Sequence, residues 1–121
     1  MLFRLMLEGN DLSAEAKLRA LVDVATGDEN IRYGGVLVES SIRDWGRYDQ
    51  RVADIMEVVD RQRLDYLESL FTACGAEGEA IRINSAILYG ALVGLEPLSS
   101  RKLVDLRGDL RALLDKLLAS L

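Results

Sequence analysis

The sequence predicts an all-α fold: an antiparallel helical bundle of about five main helices, forming one domain over residues 1–121. Three observations predict it. The chain has a single proline, Pro97. It has no sustained two-residue alternation of the kind that marks strands. Apolar residues recur every three to four positions, between residues suited to start or stop a helix.

Residues 2 to 8 read as a short helical stub, broken by Gly9-Asn10-Asp11. Ser13 is the expected N-cap of the next helix, with Glu15 in its first turn. Leu18, Leu21, Val22 and Ala25 form its apolar stripe, and Gly27 ends it. After a loop at Asp28-Glu29-Asn30, Ile31, Val38, Ile42 and Trp45 share one helical face. Gly34-Gly35 inside that helix would cost roughly 2 kcal/mol against two alanines, so the helix starts near Gly35 or kinks there. Asp49 caps a long helix with Val52, Ile55, Met56, Val59, Tyr66, Leu67 and Leu70 on one face, and Gly75 ends it. A fourth helix is expected from about Glu77 to just before Pro97, and a last one, capped by Ser99 or Ser100, runs to the C-terminus.

Composition narrows the function. Half of the 121 residues are hydrophobic, enough for a core, and the length suits one domain rather than two. Fifteen basic and 20 acidic residues leave a net charge of −5. That argues against nucleic-acid binding by this chain alone, which needs a concentrated basic face, and against an anionic membrane surface. The longest uncharged apolar run, Ala86 to Leu95, is about half a membrane span and reads as a buried helix. There is no histidine, which removes Ser–His–Asp and Cys–His catalysis and most zinc sites. The lone Cys74 excludes an internal disulfide, fits a reducing cytoplasm, and reads as a small apolar residue near a helix end, with a redox sensor the minor alternative. Asp54, Glu57 and Asp60 fall on or near the solvated side of the long helix among arginines and make no catalytic constellation. No phosphate loop is present, since Gly34-Gly35 lacks the spacing and the following lysine. No enzyme chemistry, metal site or cofactor is expected.

The last two predicted helices carry more apolar surface than a surface helix needs. On the fourth, Ile81, Leu88, Leu92 and Leu95 form one stripe, while Ile83, Ile87, Gly90 and Gly94 form a second on the opposite side. Such a helix is either central in its own domain or packed against a partner, and the Gly90-x-x-x-Gly94 spacing would let another backbone come close. On the last helix Leu103, Leu106, Leu110, Leu113, Leu114, Leu117, Leu118 and Leu121 make one broad stripe, with 3-4-3-4 spacing from Leu103 to Leu117. Either these leucines cover the chain's own core, or the two helices pair with their counterparts in a homodimer as an interchain four-helix bundle. The homodimer is the favoured reading, with Ile83, Ile87, Gly90, Gly94, Leu103, Leu106, Leu110, Leu113 and Leu117 at its interface.

Polar residues that interrupt apolar faces mark a candidate pocket. Arg63 lies near the centre of the long helix's stripe, and an unpaired buried guanidinium is expensive. It pairs with a carboxylate, Glu39 being one candidate, or anchors an acidic group of a ligand, or snorkels to water. Pockets among helices are mostly apolar with a few polar groups. The candidate lining is therefore Val38, Ser41, Trp45, Met56, Val59, Arg63, Tyr66 and Tyr89, each of which also has an ordinary packing role open to it.

Several segments, in order, resemble the body of the tetracycline-repressor-type (TetR) transcription regulators. Leu18-Arg19-Ala20-Leu21-Val22 resembles the helix that follows that family's DNA-binding head. Ser41-Ile42-Arg43-Asp44-Trp45 with Arg47-Tyr48-Asp49 resembles its I-R-x-W-x-x-x-D turn. Val59 to Leu67 with Leu70-Phe71 resembles the long helix after it, and Ala86 to Leu95 the apolar penultimate helix. The resemblance covers roughly residues 13 to 121. It implies a cytoplasmic domain that binds a small, hydrophobic effector among its helices and dimerises through its last two. The family's helix-turn-helix head and its Gly-x-x-x-Tyr segment have no counterpart here, so this chain by itself is expected not to bind an operator. An oligomerisation or adaptor module without a ligand is the alternative.

Overall fold

The computed structural model describes residues 12–27 and 35–121. The expected stub at residues 2 to 8 and the position of Ile31 lie outside the described residues. Those described form five α-helices and no strand: α1 (Ala14–Ala25), α2 (Gly35–Gly46), α3 (Gln50–Ala73), α4 (Glu79–Ser100) and α5 (Leu106–Ala119). No helix among them is long and apolar enough to cross a membrane.

The helix ends follow local chemistry. The Ser13 hydroxyl accepts from the Ala16 N–H at 3.1 Å, and the Asp49 carboxylate accepts from the Arg51 N–H at 3.0 Å. Each satisfies a donor that a helix start leaves orphaned. At the end of α3, Gly75 adopts φ +104°, where only glycine is unstrained. The Ala76 N–H then reaches back to the Phe71 carbonyl and the Gly75 N–H to that of Thr72, both at 3.0 Å, which closes a Schellman turn.

Two expected boundaries are corrected. Helix α4 does not stop before Pro97 but carries it inside the last turn and ends at Ser100. A proline there forfeits one backbone hydrogen bond close to the helix end, where few depend on it. Ser99 and Ser100 consequently do not cap the last helix. Their hydroxyls donate back to the Glu96 and Pro97 carbonyls at 3.1 and 2.7 Å, and Asp105 occupies the N-cap position of α5.

Side-chain pairs fix the direction of each helix relative to its neighbours. From α2 to α3, Glu39 meets Arg63 and Arg43 meets Asp60, so one helix runs up as the other runs down. From α1 to α5, Arg19 meets Asp115 at 2.6 Å and Asp23 meets Arg111 at 2.8 Å. In the same antiparallel order Arg107 donates to the Thr26 hydroxyl and to the Asp23 carbonyl, each at 3.1 Å. That last bond satisfies a carbonyl which the end of α1 leaves open. Helices α1, α3, α4 and α5 close a ring, each packed on the next, and α2 lies against α3.

The core fills that ring. Leu18 and Val22 of α1 meet Leu67, Leu70 and Phe71 of α3, Leu88 and Tyr89 of α4, and Leu110, Leu114 and Leu117 of α5. The two stripes of α4 separate as their spacing implies. Leu88 is buried, and Ile81, Leu92 and Leu95 pack on the core. Ile83 and Ile87 remain 40% and 44% exposed, and a methyl group added at Gly90 or Gly94 would meet nothing within 4 Å.

The leucines of α5 are a correction. Leu110 and Leu117, assigned above to a partner, lie in the chain's own core, with Leu106 and Leu113 packed against it. Leu103 stands outside the helix, 67% exposed. The 3-4 spacing is that of any helix laid on a core, and α1 and α4 supply the surface these leucines need. Ile55 is also exposed instead of facing inward. We expect Leu114→Ala to lower the unfolding free energy by about 2–5 kcal/mol, and Leu103→Ala to change it by less than about 0.5 kcal/mol. Urea denaturation of both variants, repeated at several protein dilutions, checks this. A loss for Leu114→Ala that vanished on dilution would place the residue in an interface instead.

Candidate functional site

A cavity of about 270 Å³ lies between α2 and the ring. Its walls are apolar: Leu21, Val22 and Ala25 from α1, Leu67 from α3, Leu88, Leu92 and Val93 from α4, and Leu110 from α5. One side is polar, where Glu39, Ser40 and Arg43 of α2 face Gln62, Arg63 and Tyr66 of α3 and Tyr89 and Glu96 of α4. Helical spacing produces this. Glu39 and Arg43 are one turn apart on α2, and Tyr89, Val93 and Glu96 follow one face of α4.

The polar side is organised around the Tyr89 hydroxyl. It donates to Asp60 Oδ1 at 2.5 Å and accepts from Arg43 Nη2 at 3.0 Å and from Arg63 Nη1 at 3.2 Å. Arg43 grips Asp60 with both terminal nitrogens, Nη2 to Oδ1 at 2.7 Å and Nη1 to Oδ2 at 3.1 Å. Arg63 Nη2 donates to Glu39 Oε1 at 2.5 Å. The Arg43 guanidinium also sits 5.9 Å from the centre of the Tyr89 ring, at the outer limit of a cation–π contact. One forked ion pair, one single-bonded ion pair and one phenol thus join three helices through charge-assisted bonds.

Each titration follows from these contacts. Burial pushes the Tyr89 phenol up, and the Asp60 carboxylate beside it adds to the shift, so the hydroxyl stays neutral and able to donate. Burial alone would raise the Asp60 carboxyl, but the hydrogen bonds from Arg43 and Tyr89 outweigh it and hold the group below its ordinary value. Burial opposes the charge on Arg63, and its bonds to Glu39 and Tyr89 more than offset that, so it stays protonated. Glu96 is the exception. Burial raises its carboxyl, Glu39 raises it further by repulsion, and Arg43 compensates in part. Among the described residues the Glu96 carboxylate has no hydrogen bond and no ion pair.

The candidate residues divide. Arg63, Tyr66 and Tyr89 line the cavity, and Arg63 has the Glu39 partner considered for it. Ser41 is exposed and does not line it. Trp45 is 59% exposed, because α2 turns the face of Glu39, Arg43 and Gly46 inward and residue 45 projects from the far side. Met56 is buried but lines a separate shallow hollow with Ala53 and Asp60, and Val59 is half-buried outside the cavity. Val38 belongs to α2, and its side chain lies outside the described residues. Asp60, placed above on the solvated side, is a member of the network, drawn in by Arg43 and Tyr89. Sequence reasoning gave no pocket role to Arg43, Asp60 or Glu96. Their signal was present only as spacing: Glu39 with Arg43, Asp60 with Arg63, and Tyr89 with Glu96.

Among the described residues no group of His, Cys, Asp and Glu could hold a metal ion. No protein-family model matches the chain, and no curated protein or solved structure matches it either.

Tyr89→Phe removes the hydroxyl that three charged groups share, and should lower the unfolding free energy by about 1–3 kcal/mol in urea titrations. Glu96 and Asp60 have opposite effects with pH. A raised carboxyl subtracts stability at neutral pH, and the penalty fades as pH falls through the raised value and is gone below 4.5. A lowered carboxyl adds stability above 3.8 that is lost as pH falls through the lowered value. Glu96→Gln should therefore be more stable than the parent at pH 7, with the gap closing below 4.5. Parallel denaturation curves at the two pH values measure the gap, and a difference independent of pH would show that ionisation of Glu96 is not its source.

Proposed function

We propose that the chain is the small-molecule-sensing and dimerising body of a transcription regulator resembling the tetracycline-repressor type, working in the cytoplasm. The observation that carries this reading is the cavity: about 270 Å³, apolar on most of its wall, with a fixed polar side. A pocket of that kind among helices suits a small amphipathic molecule. Three helices that move against one another would each feel an occupant, since α2, α3 and α4 all place side chains on the polar side. An effector acts through linkage: it shifts the body towards whichever helix arrangement it binds better, and a DNA-binding head joined to that body would follow.

The second apolar face of α4 supports the homodimer. Ile83, Ile87, Gly90 and Gly94 lie open along one side. The seam is narrower than the leucine pattern implied, since the stripe of α5 is used inside the subunit. The same face favours the alternative, an adaptor that associates without a ligand. The two readings differ in whether the cavity is ever filled.

Native mass spectrometry of protein from its source, together with a thermal-shift screen of small amphiphiles, tests the sensor. Leu92→Trp fills the cavity and should abolish every stabilisation that the parent shows. If the parent binds nothing, the adaptor reading stands. For the dimer, Gly90→Leu should leave helicity and monomer stability intact, because the side chain enters open space and leucine favours helix over glycine by up to about 1 kcal/mol. Sedimentation at tens of micromolar should find a dimer for the parent and a monomer for the variant. A monomeric parent would end the dimer model.

A further inference from the structure

We infer that the cavity selects a cationic amphiphile, an apolar body ending in a protonated amine that ion-pairs with Glu96. This rests on the reading of the cavity as a ligand site and names the ligand's chemistry. Asp60 is matched by Arg43 through two hydrogen bonds, and Glu39 is matched by Arg63. Both guanidinium groups also donate to Tyr89, so their charge is already engaged inside the protein. Glu96 remains. It lines the cavity, and its carboxylate has neither hydrogen bond nor ion pair among the described residues. The charged groups around it are Glu39 and Arg43 of α2, with Arg63 and Asp60 of α3 beyond them. Among the described residues, with all of these ionised, the polar side holds three negative charges against two positive ones.

Three kinds of head group meet that surface differently. A carboxylate would face Glu39 and Glu96; among the described residues Arg63 Nε is buried and without a partner, but both Nη atoms of that guanidinium are already engaged by Tyr89 and Glu39. A neutral hydroxyl leaves the charge surplus in place. A protonated amine supplies the missing positive charge and donates a charge-assisted hydrogen bond to Glu96. Leu92 and Val93 stand one turn before Glu96 on the same helix face, so the apolar body of such a ligand lies along them while its amine reaches the carboxylate.

Isothermal titration calorimetry at pH 7 with decylamine, 1-decanol and decanoate holds the apolar body constant and changes only the head group. We expect decylamine to bind about tenfold or more tightly than 1-decanol, with decanoate weakest. Glu96→Gln should weaken decylamine about tenfold and leave 1-decanol within twofold, and the retained 1-decanol affinity shows that the variant is folded. Leu92→Trp should abolish binding of both. Decanol or decanoate binding as tightly as decylamine overturns the charge selection while leaving the cavity a ligand site. Decylamine binding that survives Leu92→Trp assigns it to the acidic exterior and overturns the proposal. Binding of none of the three overturns both the proposal and the ligand-site reading beneath it.

Discussion

One phenol hydroxyl sets the position of three helices. Tyr89 projects from α4 towards Asp60 and Arg63 of α3 and Arg43 of α2, and every one of those groups is charged. Inside a bundle whose core is largely leucine, apolar packing alone tolerates sliding, because one leucine surface resembles the next. A hydroxyl that must give one hydrogen bond and accept two allows few positions. The cost of leaving a buried charge unmatched makes the alternatives worse than the pairing makes the native arrangement good. The network thus acts chiefly on register: it fixes where α2 and α4 lie along α3, and the cavity is the space left when they lie there.

That explains why an apolar cavity survives next to a well-filled core. On the side of α1 and α5, Leu18, Phe71, Leu110 and Leu114 pack with almost no exposure. Towards α2 the neighbouring positions are Glu39, Arg43, Asp60 and Arg63, whose charged ends must meet one another and cannot collapse onto leucine. The long side chains hold the helices apart where an aliphatic set would draw them together. A void lined by Leu92 and Val93 is the geometric consequence.

What the sequence made legible follows the range of the forces involved. Ser13, Asp49 and Gly75 act on backbone groups within four residues, and all three end or begin helices as their chemistry requires. The two faces of α4 were legible too, because both are properties of one helix. Pro97 was misjudged because a helix stop was inferred from the residue alone, when the loss of one bond in a last turn is small. The leucines of α5 were misjudged for a longer-range reason: their spacing shows that they need cover but not whose, and the cover came from α1 and α4. Asp60 fails in the same way. Its own helix places it among exposed carboxylates, and only the arrival of Arg43 and Tyr89, 17 and 29 residues away in sequence, brings it inside.

Helix α4 then presents two different faces on opposite sides. Tyr89, Val93 and Glu96 face the cavity, while Gly90 and Gly94, each one residue away from such a position, face outward. A step of one residue turns a helix by about 100°, so the two faces are rigidly coupled through a single backbone. Any motion of that backbone moves the cavity face and the glycine face together. At Gly90 and Gly94 that outer face has no side chain to hold a neighbouring backbone away. A small change of tilt inside the bundle is in this way presented directly at the outer face, without a chain of intermediate residues to relay it.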